Sequence, residues 1–237
     1  MTNSFAKKAS TLGEALVWYH FIPASGPDGV AWYREYRDSG CEALAQNLDV
    51  SVALMRRRKM EEGKALLDRC GSTLQGPDVK SASRAAAGVA EEAYFGALAY
   101  YHYHHAEHVE ARDALDSAES RIAEVVAEAP FLVTFTVKCY DFCLHRARIA
   151  RSERRWPDMW QHIDQGREML AGQRPLCSTR RGAVYIRDTE EFFRTATPTD
   201  DIERNALDLL RDRSAMIATF EKRSLGATMS PGIVIDY

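Results

Sequence analysis

No stretch of the chain offers the ~18 consecutive apolar residues of a membrane-spanning helix, and the opening MTNSFAKKAS lacks the apolar run of a secretory signal. These absences predict a cytoplasmic protein with no membrane partner. Cysteine is sparse and odd in number, five with no paired metal spacing, which fits a reducing compartment and argues against a disulfide framework. An excess of positive charge is missing too: 31 Lys and Arg against 34 Asp and Glu leave a net charge of −3, which argues against nucleic acid or an anionic membrane as partner. The phosphate-cradling G-x-x-x-x-G-K-[ST], the dinucleotide fingerprint G-x-G-x-x-G and the nucleophile elbow G-x-S-x-G are all absent. What remains is an ordinary globular composition, 46% hydrophobic and 27% charged over 237 residues, enough for one large domain or two small ones.

Helical periodicity is what the sequence has in quantity. Residues 91–130 contain one glycine, no proline before Pro130, and small and apolar residues at 3.6-residue spacing. Leu98, Ala99, His102, His108, Ala111, Leu115 and Ala118 alternate large and small, as two closely packed antiparallel helices require. A turn is expected near 106–109, with helices over 91–105 and 109–129 and Pro130 as the stop. The pattern recurs at a spacing of 48. Ala99, His108, Ala111, Leu115 and Ala118 correspond to Ser51, Met60, Gly63, Leu67 and Cys70 upstream, and to Ala147, Trp156, Met159, Ile163 and Gly166 downstream. The columns keep their size class.

These columns resemble the tetratricopeptide repeat (TPR), with a small residue in the first helix, an aromatic at the turn, and Ala, a large apolar residue and Ala in the second. The resemblance covers residues 45–172, with repeats longer than the ~34 residues usual for the family. It implies an all-α fold of antiparallel hairpins stacked as a TPR-like α-solenoid, with a partner peptide lying along the first helices. Carried onto this chain, the peptide-facing columns hold Val52, Met55 and Arg56, then Tyr100, Tyr103 and His104, then Arg148, Arg151 and Ser152. The resemblance thus implies a non-catalytic protein-interaction module without cofactors. Its groove of Tyr and Arg would capture an acidic or C-terminal peptide segment of a protein partner.

Along the chain, Thr11 and Glu14 form a capping-box pair opening a short helix to Phe21, SGPDG at 25–29 reads as a turn, and 30–39 as an aromatic helix stopped by Gly40. Hairpins are expected over 41–70, 82–129 and 131–171, with a linker at 71–81. FLVTFTVK at 131–138 is β-branched, yet its continuation into an amphipathic charged end favours a helix. A loop at 172–182 and capping helices over 183–194 and 200–223 follow. The apolar tail at 224–237 is expected to dock on the body or on a neighbouring subunit of a homo-oligomer.

A second reading competes. His104 and His108 have metal-ligand spacing, but the residue after His104 is His105, where a zinc metalloprotease motif requires Glu. No histidine has Glu three residues before it, so the Glu-x-x-His pairs of a di-metal bundle are missing. The remaining alternative is an all-α bundle similar to the heme-oxygenase-like di-metal oxygenases. It would bind iron, manganese or zinc through His102, His105, His108, Asp141 and His145. Cys139 and Cys143 share a helical face and are expected to be buried hydrophobes rather than ligands. The basic face of Arg148, Arg151 and Arg155 and the run at 56–59 are interleaved with acids, which reads first as a solvated helix face, then as a surface for an acidic protein partner, and least as one for nucleic acid.

Overall fold

The computed structural model describes residues 26–195 and 215–225, and everything below refers to them. The capping-box helix expected at 11–21, the segment 200–214 and the tail from 226 onwards lie outside the described residues. The class is all-α, with one two-stranded sheet. Helix α1 (Pro27–Asp38) begins with Gly26 as N-cap and a proline in the first turn, so the PDG of the expected turn is instead the start of a helix. Trp32 and Tyr36 stack one turn apart at 5.0 Å and face the core. Gly40, at φ 79°, ends the segment and caps the next helix.

Three antiparallel hairpins follow: α2 (Cys41–Arg56) with α3 (Met60–Leu74), α5 (Arg84–His104) with α6 (His108–Glu128), and α7 (Lys138–Ser152) with α8 (Trp156–Leu170). Between the first two lies a short helix, α4 (Pro77–Ser81), so the expected linker at 71–81 is helical except around Gln75 and Gly76. Ser83 caps α5, its hydroxyl accepting from the Ala86 N–H at 3.3 Å.

The step of 48 is explicit in the backbone. Arg58, Ala106 and Arg154 adopt left-handed φ of 62°, 58° and 59°, and their numbers differ by 48 each time. Lys59, Glu107 and Arg155 donate their N–H groups to the carbonyls of Leu54, His102 and Ala150 at 3.0, 3.0 and 2.8 Å. Arg58, Ala106 and Arg154 donate to Met55, Tyr103 and Arg151 at 2.9, 3.2 and 3.0 Å. Each hairpin therefore ends its first helix with the same Schellman closure, satisfying carbonyls that would otherwise be orphaned. The side-chain columns follow suit: Ser51, Ala99 and Ala147, then Leu67, Leu115 and Ile163, then Cys70, Ala118 and Gly166 are all buried. In the first hairpin a Cβ on Gly63 would lie 2.5 Å from Met55 Cγ, and the Ser51 hydroxyl donates to the Gly63 carbonyl at 2.7 Å, so the two backbones nearly touch.

The structure departs from expectation after Glu128. Residues 130–137 form a 3₁₀ segment, η1 (Pro130–Val137), and the third hairpin's first helix starts only at Lys138. Val133, Thr134, Thr136 and Val137 resist α-helix through stiff χ1 angles, and the Thr136 hydroxyl bonds the Val133 carbonyl at 2.7 Å. The expected loop at 172–182 contains strand β1 (Cys177–Thr179), paired antiparallel with β2 (Gly182–Val184) in the register Cys177↔Val184. Helix α9 (Ile186–Thr195) follows, and residues 215–225 are helical. One core runs through the first two hairpins and α1. A second lies within the third hairpin and takes in Ile217 and Phe220.

Candidate binding groove

Helical spacing puts one stripe of each first helix on a common side. On α2 the stripe is Leu48, Val52 and Arg56; on α5 it is Glu92, Gly96, Tyr100 and Tyr103; on α7 it is Asp141, His145 and Arg148. These three stripes enclose a cavity of about 170 Å³. Its lining combines apolar Val52, Ala93, Ala97 and Phe142 with the acids Asp49, Glu92 and Asp141 and the bases Lys138, Arg56 and Arg148.

Arg56 is exposed and lies over the Tyr100 ring at 5.6 Å. Burial pushes the Tyr100 phenol above its ordinary pKa against the pull of Arg56. Arg148 is half-buried, and its Nη1 donates to His145 Nδ1 at 3.1 Å. Burial moves Arg148 below the ordinary guanidinium value, opposed by Tyr103 and Asp141, and leaves it charged. His145 falls to about 3, first from burial and then from Arg148, Arg56 and Arg146, so at neutral pH it is an uncharged acceptor. Among the described residues neither Arg56 nor Arg148 belongs to an ion pair, whereas Arg84, Arg112, Arg121 and Arg146 all do. In the same lining Lys138 Nζ meets Glu92 Oε2 at 2.6 Å, joining the second and third hairpins. Glu92 is 3% exposed.

Of the residues implied by the TPR resemblance, Arg56, Tyr100, Tyr103, Arg148 and Val52 line the cavity. Met55 is buried. His104 is exposed and packs on the Tyr100 ring at 4.4 Å, outside the cavity lining. Arg151, one turn beyond Arg148, places its guanidinium over the Phe220 ring at 5.2 Å, so that aromatic contact takes it out of the groove. Ser152 hydrogen-bonds His108 Nε2 at 2.9 Å.

The metal-binding set is scattered. His102 Nδ1 is 2.6 Å from Glu107, and His105 Nδ1 is 3.0 Å from the Tyr101 carbonyl. His108 faces Ser152 and Glu153, and only Asp141 and His145 share the cavity. Among the described residues no group of three or more His, Cys, Asp or Glu is arranged to hold a metal ion. All five cysteines are free and buried, with Cys143 Sγ 3.8 Å from Met169 Sδ. A second cavity, about 550 Å³ between α6, α8 and β1, has Arg146 already paired with Asp116 and Glu119 at 2.6 Å.

Sequence reasoning missed the Glu92–Lys138 pair and Gly96. Glu92 and Gly96 stand eight and four residues before Tyr100, on the same stripe, which is the signal that could have found them. No helix among the described residues is long and apolar enough to cross a membrane. No family model, curated protein or solved structure matches the chain.

Proposed function

We propose that this protein is a non-catalytic interaction module of the cytoplasm, with its hairpins stacked in TPR-like fashion. It binds an acidic or C-terminal segment of a protein partner in the groove between α2, α5 and α7. The observation that carries the reading is the meeting of Arg56 and Arg148 at one cavity with Tyr100 and Tyr103, both guanidinium groups outside any ion pair of the described residues. A guanidinium presents a planar fork matched to a carboxylate, and a tyrosine ring supplies contact area at low entropy cost. The neutral His145 occupies one donor of Arg148 and leaves the others for a ligand.

The test is affinity capture from a lysate of the source organism with wild type and Arg56→Ala/Arg148→Ala side by side, followed by titration of the captured partner. Each substitution should weaken binding by roughly 1.5–3 kcal/mol, the scale of a hydrogen bond to a charged group. Rising salt should weaken the wild-type complex more than the mutant one. Equal recovery of the same proteins with equal salt sensitivity would sink the proposal.

A further inference from the structure

Residues 12–22 read LGEALVWYHFI, eight of the eleven apolar or aromatic, with Glu14 as the one acid or base besides His20. Leu12, Ala15, Leu16 and Tyr19 recur at helical spacing, and Val17, Trp18, Phe21 and Ile22 fill the other sides. A helix here is apolar nearly all round and calls for cover. Only Pro23, Ala24 and Ser25 separate it from Gly26, the N-cap of α1. Helix α1 leads to one end of the groove. Tyr33 donates to Glu42 at the start of α2 at 3.0 Å, and the Glu35 carboxylate accepts from the Ser83 N–H at the start of α5. The Trp32 ring packs edge-on against Phe131, just before α7, at 6.3 Å. Thus α1 lies across the starting ends of the three first helices, with Pro27 only ~8 Å from Trp32 along its axis. Glu92 and Lys138 line the groove toward that same end.

We infer that the groove between α2, α5 and α7 is occupied in the free protein by the chain's own residues 11–22, which any other ligand must displace. They lie over the cavity and put one large side chain into it. Contacts lead the right way: Trp32 and Tyr36 on α1, Asp49 on α2, Glu92 on α5, and Lys138 and Asp141 on α7 each have an interaction beyond those among the described residues. The last four of these line the cavity. Size agrees, since ~150 Å³ holds one benzene and the cavity measures about 170 Å³. Charge agrees as well. The lining carries both signs, and so does the segment with its approach, Lys7 and Lys8 before the apolar run and Glu14 within it.

The experiment uses the full chain labelled with ¹⁵N-glycine and carrying one nitroxide at Ser10→Cys, a selective label because the five native thiols are buried. The oxidised nitroxide should broaden the amide of Gly96, which lines the cavity, and spare Gly182 in the β-hairpin on the α6 side, and reduction should restore Gly96. An undiminished Gly96 resonance overturns the inference. Broadening of a nitroxide-free ¹⁵N chain by separately labelled chain would assign the segment to a second copy and overturn the internal placement. A fluorescent peptide of residues 7–22 supplies the second measurement. It should bind Leu16→Asp/Trp18→Asp at least about 10-fold tighter than wild type, whose tethered copy acts at roughly millimolar effective concentration. Val52→Glu added to that variant should abolish the binding. Equal binding to wild type and Leu16→Asp/Trp18→Asp, or binding that survives Val52→Glu, sinks the proposal. Should the double variant fail to fold, the nitroxide measurement on the otherwise native chain decides. The partner reading is tested apart: partner capture lost in Arg56→Ala/Arg148→Ala, with no broadening at Gly96, keeps the groove and removes its internal occupant.

Discussion

The three left-handed turn residues make a direct test of the repeated architecture. Arg58, Ala106 and Arg154 hold φ near +60°, where an L-residue's Cβ crowds the following carbonyl at a cost of ~1–2 kcal/mol. Glycine removes that cost but brings back ~0.4–1 kcal/mol of unfolded-state entropy. The balance predicts stabilisation of about 0.5–1 kcal/mol for each substitution to glycine. Ala106→Gly is the cleanest member, because its methyl group is exposed and it donates only through its backbone N–H, to Tyr103 at 3.2 Å. The three sites lie in separate hairpins and share no partner, so their effects should add. The triple variant should gain about 1.5–3 kcal/mol, roughly 3–12 °C in melting temperature for a chain this long. Urea unfolding followed by circular dichroism reads the gain as a higher midpoint at unchanged slope. Ala106→Val, whose branched Cβ is least tolerated at positive φ, should move the other way. A glycine series that lowers stability, together with a harmless valine, would refute the common closure of the hairpins.

Two further outcomes are expected. Ala118 is fully buried where α6 crosses its neighbours, so Ala118→Leu should overpack and lower stability by about 1–3 kcal/mol in the same urea assay, and a wild-type midpoint would count against that packing. His145 is held near pKa 3, below the ~6.5 of an unfolded chain, so the unfolded state takes up the proton first as pH falls. Its contribution to stability is complete above pH ~6.5 and is lost on acidification from there toward pH 3, with a slope of at most about 1.4 kcal/mol per pH unit. An NMR titration of the imidazole should show no protonation at pH 5, and a midpoint near 6.5 would contradict the burial and the three arginines assigned as its cause.

Helix boundaries and hairpin pairing could be read from the chain because side-chain size at 3.6-residue and 48-residue spacing reports burial directly. Ser51, Ala99 and Ala147 are small where helices approach, and the structure buries all three. The 3₁₀ segment at 130–137 could not, since its run of apolar residues suits a buried strand and a buried helix equally and only χ1 stiffness decides. The β-hairpin at 177–184 is three residues per strand, too short for alternation to register. Four of the six residues named for the groove reached it, because stripes on first helices follow from periodicity alone. Arg151 did not, since its diversion to Phe220 is a contact 69 residues away that no local pattern encodes. Gly96 was visible only as a lone glycine in a helical run.

The ion pair in the cavity lining, Lys138 with Glu92, constrains how this sequence can drift. Replacing Lys138 takes away the cation 2.6 Å from a carboxylate that is 3% exposed, and replacing Glu92 takes away the anion that holds Lys138 against the second hairpin, so each single change is destabilising. Replacing both with apolar residues of similar volume removes the attraction and the desolvation cost of the two charges together. The two positions, 46 residues apart on different hairpins, are therefore coupled in what they tolerate: the effect of a substitution at one depends on which residue stands at the other.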